Sequence, residues 1–152
     1  MSLLFRRVQG GARFRRSQRG TSAVEFALVL PIFLFVLFGF IELSVAFYDK
    51  AVLANASREG ARAGVVLRNP KLSTAEIQQV VQNYTNGALL TFGVSSPPEV
   101  TVTQFVPLAG DPTPSHLSVT VSYTYAGLGL GAMLSAINYP VVMSATSVMI
   151  HE

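Results

Sequence analysis

Residues that could carry chemistry are scarce in this chain. It has no cysteine, which excludes disulfides, thiolate metal sites and cysteine nucleophiles. Its two histidines, His116 and His151, stand far apart, and neither has a cluster of further ligands around it. His116 reads as a strand-end residue rather than a base. Gly127-Leu128-Gly129-Leu130-Gly131-Ala132 has the spacing of a dinucleotide fingerprint. That fingerprint works only in a strand–turn–helix unit with an acidic residue about twenty positions on. The sequence offers only the terminal Glu152 there, and no parallel strand–helix alternation, so no nucleotide site is read. With no catalytic constellation, the expectation is a protein that is not an enzyme and holds neither cofactor nor metal.

The informative chemistry lies at one junction, Arg19-Gly20-Thr21-Ser22-Ala23-Val24-Glu25-Phe26. Here basic residues, a glycine and then a glutamate precede a long apolar run. A carboxylate at the edge of lipid is costly and usually has a partner. One reading is a capping box, with Ser22 capping a helix and Glu25 reaching back to the Ser22 amide, helped by the helix dipole. The other is a peptidase site. A cut between Gly20 and Thr21 would give Thr21 a new α-amino group, positive at neutral pH. Glu25 would then be the fifth residue of the shortened chain, able to neutralise such an amine on a neighbouring subunit. The two readings are compatible, because a cap before cleavage can become an ion pair after it.

The element that must position this junction is a membrane helix. No residue from Phe26 to Ile41 is charged. With its flanks the apolar stretch reaches about 25 residues, enough to cross a hydrocarbon core of about 30 Å. A lone span must be helical to satisfy its own amides. Pro31 forfeits one such bond and predicts a mild kink. Arg6, Arg7, Arg13, Arg15, Arg16 and Arg19 all precede residue 20 without an acid among them, so the net charge of +3 combines a basic tail with a mildly acidic remainder. Asp49 and Lys50 cancel after the span. The positive-inside rule then keeps the N-terminus in the cytoplasm, with Arg13, Arg15, Arg16 and Arg19 setting topology. Next to such a span, anionic lipid explains the basic tail more simply than nucleic acid does. The expected organisation is a basic leader over 1–20, a transmembrane helix over 21–48 and an outer domain over 49–152. Cleavage of the span itself as a secretory signal, after Ser44-Val45-Ala46, is disfavoured because the apolar run is too long.

The helical pattern continues past the span until Asn69-Pro70 stops it. The helix would run from about Ser22 to Arg68, about 70 Å at 1.5 Å per residue. Its outer half is rich in small residues. Ala56, Gly60, Ala63 and Leu67 share a face, and Gly60 with Gly64 form a small-xxx-small pair that lets another backbone approach closely. That partner is either this protein's own sheet or another subunit. A second helix is expected from about Thr74 to Leu89. It opens with the capping box Ser73-Thr74-Ala75-Glu76 and carries the stripe Ile77, Val80, Val81, Tyr84. Strands are expected over Glu99–Val106, His116–Tyr125 and Val141–Ile150. The second alternates cleanly, with Leu117, Val119, Val121, Tyr123 and Tyr125 on one face. The turn Ala109-Gly110-Asp111-Pro112 would join the first two strands. Gly127 to Tyr139 suggests a short amphipathic helix. The predicted fold is α+β: a long N-terminal transmembrane helix continuing outside the membrane, a second helix, and an antiparallel sheet of about three strands.

RRSQRGTSAVEFALVLPIFLFVLFGFIEL followed by ASREGARAG resembles the TadE-like proteins, pseudopilins or minor pilins of the tight-adherence (Tad, or Flp) pilus machinery. The resemblance is close from about Arg15 to Gly64. It implies a pilin-like fold and processing by a prepilin peptidase at Gly20 and Thr21, with Glu25 and Phe26 matching the family's Glu-aromatic pair. It also implies a place in the bacterial inner membrane, the C-terminal domain on the periplasmic or extracellular side. The implied partners are membrane lipid, the peptidase, other pilin-like subunits and Tad assembly proteins, in a system serving secretion and cell adhesion; no nucleic acid is implied. The competing expectation is an uncleaved single-pass scaffold or binding protein of the cell envelope.

Overall fold

The computed structural model describes residues 15–67, 69–92, 96–106, 114–127, 129, 132 and 136–150, with backbone alone for 15–19. The first element is α1, Arg15–Val65, a continuous helix of 51 residues. It starts earlier than the cap at Ser22 would have it. Nothing between Arg15 and Gly20 stops a helix, and arginine and glutamine are good helix formers. Ser22 therefore lies inside the helix and is no N-cap. Pro31 likewise falls in the interior, where it removes the amide that would bond the Ala27 carbonyl. The helix ends short of Arg68 because Asn69 precedes a proline, which disfavours helical backbone.

The chain divides into two units, residues 1–37 and 38–152. In the first, the described residues are helix alone, and the apolar side chains turn outward. Ile32 and Val24 keep 68% and 61% of their surface exposed, far more than a helix buried in a soluble core would keep. A helix apolar all round and uncovered by its own protein suits lipid as solvent.

In the second unit the rest of α1 packs with α2, Thr74–Thr85, and a three-stranded sheet. Ser73 caps α2: its Oγ accepts from the Glu76 amide at 3.3 Å, and its own amide donates to Glu76 Oε2 at 2.8 Å, the expected capping box. Asn86, the C-cap, and Gly87, at φ +77°, then end the helix four residues before the expected Leu89. Its buried face is Ile77, Val81 and Thr85, while Tyr84 is exposed, so the apolar stripe lies one residue round from the expected one.

The strands are β1, Glu99–Phe105, β2, His116–Tyr125, and β3, Val141–Ile150, in the order β1-β2-β3 and antiparallel throughout. Val119 pairs with Val102 on one side and with Ser147 on the other. Alternation puts Leu117, Val119, Val121, Tyr123 and Tyr125 of β2 into the core, all at or below 2% exposure. They meet Leu53, Ala56 and Ala61 of α1 and Ile77 and Val81 of α2. Burying each large aliphatic chain contributes about 1.5–3 kcal/mol, so β2 is the anchor of the domain. Parts of the long connections fall outside the described residues: the turn at 109–112, and residues 128, 130, 131 and 133–135 of the segment 127–139 where a short helix was expected.

Candidate processing and assembly site

The junction residues all lie on α1. Gly20 is exposed, and nothing stands within 4 Å of where its β-carbon would be. Glu25 is exposed, and so is Phe26 at 65%. Thr21 and Ser22 already take part in interactions. Arg15, Arg16 and Arg19 belong to the first turns of the helix, and Arg13 lies outside the described residues. In a helix, positions four apart share a face, so residue 25 stands just over one turn from residue 21. This brings the expected new amine and the carboxylate of one chain into neighbouring turns.

The small residues of α1 face inward. A β-carbon on Gly60 would collide with Val81 Cγ2 and stand 3.3 Å from Val119 Cγ1. One on Gly64 would collide with Leu117 Cδ2 and stand 2.8 Å from Ile77 Cδ1. Ala56 is fully buried, and Ala63 is half-buried. The close approach of Gly60 and Gly64 is thus to α2 and β2 of this same chain. Leu67, expected on that face, lies past the helix end and is 79% exposed. Ser57 adds a polar contact inside the packing, donating to the Ala54 carbonyl at 2.9 Å and bonding Ser147 Oγ of β3 at 2.8 Å. The outward side of this part of α1 carries Asn55, Arg58, Glu59 and Arg62, with Arg58 Nη1 donating to Asn55 Oδ1 at 3.3 Å.

Polar residues at the base of the second unit were missed by sequence reasoning. Asp49 and Lys50 do not cancel as a surface pair. Asp49 is completely buried, and its Oδ1 accepts the Leu90 amide at 2.8 Å. Burial pushes its carboxyl above the ordinary carboxylate range, against the lowering effect of that bond. Lys50 reaches the other way, its Nζ donating to the Ser144 carbonyl on β3. Glu42 is nearly buried, and its carbonyl accepts the Tyr125 hydroxyl at 3.5 Å. Burial, with Glu42 and Asp49 nearby, holds that hydroxyl above the usual phenol range. Val45 and Ala46 pack on the core, so the outer unit covers one side of α1 from Glu42, before the expected limit of the span. The apolar flanks in the sequence hid this boundary, although two acids seven positions apart on one helix face gave a hint of it.

Among the described residues no group of three or more His, Cys, Asp or Glu could hold a metal. His116 begins β2 and stacks on Phe105 of β1, ring centroids 4.8 Å apart. The sheet is antiparallel, so the glycines of 127–131 follow a strand that cannot belong to a parallel nucleotide-binding unit.

Neither the curated proteins nor the solved structures offer a match to this chain. A family model, described as TadE-like protein, matches residues 20–62. The matched stretch starts at Gly20, takes in Glu25 and the apolar run, and ends among the small residues of α1. From Gly20 to Arg62, therefore, this chain is similar to the TadE-like proteins.

Proposed function

We propose that the protein is a minor pilin or pseudopilin that takes part in assembling a Tad-type adhesion pilus. The precursor inserts as a single-pass protein of the bacterial inner membrane, arginine tail in the cytoplasm and folded domain outside. A prepilin peptidase removes residues 1–20, and Thr21 becomes the new N-terminus. The observation that carries this reading is a bare apolar helix, exposed on all sides, with Glu25 as its sole acid between Gly20 and Ile41. Such a surface is complete only among lipids or other apolar helices, and a carboxylate within it gains from a cationic neighbour. The amine of Thr21 on an adjacent subunit would be that neighbour. The TadE-like match over residues 20–62 supports the same role.

The outer unit has its glycine contacts satisfied internally, so subunit contact falls to the apolar half of α1 and to exposed side chains such as Phe47, 73% exposed. Glu25→Gln keeps the shape and removes the charge. In cells carrying only this variant, membrane insertion should persist while surface pili are reduced about tenfold or more, the loss expected for a pairing worth about 1.4 kcal/mol per subunit contact. Unchanged piliation with Glu25→Gln would count against the proposal.

A further inference from the structure

Contacts between α1 and the sheet fix how far along the helix each part of the outer unit stands. Lys50 Nζ donates to the Ser144 carbonyl, and Ser57 Oγ bonds Ser147 Oγ at 2.8 Å. Residues 50 to 57 of the helix rise about 10.5 Å and residues 144 to 147 of the strand span about 10 Å, so β3 runs beside α1 in the same direction. Val141, where β3 begins, therefore lies about 10 Å back from Ser144, level with about residue 43 of α1. Its pair on β2, Tyr125, agrees with this level, because the Tyr125 hydroxyl donates to the Glu42 carbonyl at 3.5 Å. Gly129 agrees too, since a β-carbon there would stand 3.2 Å from Glu42 Oε2.

The connection between β2 and β3 thus leaves and re-enters the sheet at the end where the uncharged run of α1 finishes. Phe38 to Ile41, the last residues of that run, belong to this same unit. A second connection is drawn to the same end. After α2 the chain is held at Leu90 by Asp49, and then by the Ala126 carbonyl, which accepts from Thr91 Oγ1 and the Phe92 amide, both at 3.3 Å. Three large side chains of these connections stay open: Phe92 at 45% exposure, Ile137 at 64% and Tyr139 at 72%. An apolar residue exposed singly needs no explanation, but several at one end of a domain do. Charge does not hold this end in water. No Asp, Glu, Lys or Arg lies between Asp111 and Glu152 in the sequence, and Glu42 and Asp49 of α1 are buried.

We propose that this end of the outer unit is a second membrane contact, in which Phe92, Ile137 and Tyr139 enter the surface layer of the bilayer that α1 crosses. The proposal rests on α1 as a membrane anchor, and is independent of cleavage at Gly20 and of pilus assembly. Tyrosine suits that depth, its ring among the upper acyl carbons and its hydroxyl among the head groups. Phenylalanine and isoleucine remove apolar surface from water there. The anchor already holds the unit at the membrane, so a few side chains suffice where a free domain would need many. The outer unit is then seated on the bilayer rather than standing clear of it on a helical stalk, and the seating fixes which of its sides faces neighbouring proteins.

The chain has no cysteine, so a single introduced one carries a fluorescent label cleanly. The full-length protein is placed in phosphatidylcholine vesicles whose acyl chains are brominated near the head group, and quenching by the bromine is read at each labelled site. Phe35→Cys lies within the span, Ile137→Cys at the proposed contact, and Leu67→Cys beyond the far end of α1, where an equally apolar residue is 79% exposed. The label at 137 should be quenched at least about threefold more than the label at 67, because lipid surrounds one and water the other. Tyr139→Cys repeats the measurement should Ile137→Cys fail to fold. Quenching at 35 with none at 137 or 139 would overturn the seating while leaving the anchor intact, and no quenching at 35 would overturn both. A label at 137 shielded from lipid and from aqueous quencher alike, increasingly so as protein is added per lipid, would show a second copy there and overturn the lipid contact.

Discussion

Gly64 on α1 and Ile77 on α2 approach so closely that a β-carbon on the glycine would stand 2.8 Å from Ile77 Cδ1. Ile77 is fully buried, as is Leu117 on the other side of the same glycine. Both side chains belong to the core shared by α1, α2 and the sheet, so moving either one disturbs its packed neighbours. The absent side chain at position 64 is what lets the helix lie against β2 and α2 together.

Gly64→Ala should therefore destabilise the outer unit. Alanine gains about 1 kcal/mol of helix propensity, but overpacking a filled core costs about 1–3 kcal/mol. The net expectation is a loss of about 1 kcal/mol. Gly64→Val, larger and β-branched, should lose more. Thermal unfolding in detergent measures both. A Gly64→Ala variant more stable than the native chain would show that the contact is looser than described.

Tyr123 is buried with its hydroxyl unpartnered. Removing an unsatisfied buried hydroxyl costs no hydrogen bond and relieves a desolvated polar group. Tyr123→Phe should leave stability unchanged or raise it by about 1 kcal/mol, measured in the same unfolding experiment. A loss of more than about 1 kcal/mol would mean that the hydroxyl has a bonded partner, such as a buried water.

What the sequence made legible was local. The box at Ser73 and Glu76 closes within four residues, and β2 declares its two faces by strict alternation from Leu117 to Tyr125. The burial of Asp49 was hidden because its partner, the Leu90 amide, is a backbone group 41 positions away and carries no side-chain signature. The small residues Gly60 and Gly64 told of a close contact without saying whose, and only the placement of Val81, Ile77, Val119 and Leu117 assigned it to this chain. The early start of α1 was missed because capping residues were given weight over the plain absence of a helix breaker between Arg15 and Gly20.

The central claim is that Glu25 awaits an amine made by proteolysis, and the N-terminus of the protein in its own membrane tests this most directly. Intact-mass measurement of the membrane-extracted protein, from cells with and without the prepilin peptidase, reads that terminus. The account predicts a chain starting at Thr21 when the peptidase is present and a chain retaining residues 1–20 when it is not. Retention of residues 1–20 in both would contradict the account and favour a permanently anchored envelope scaffold.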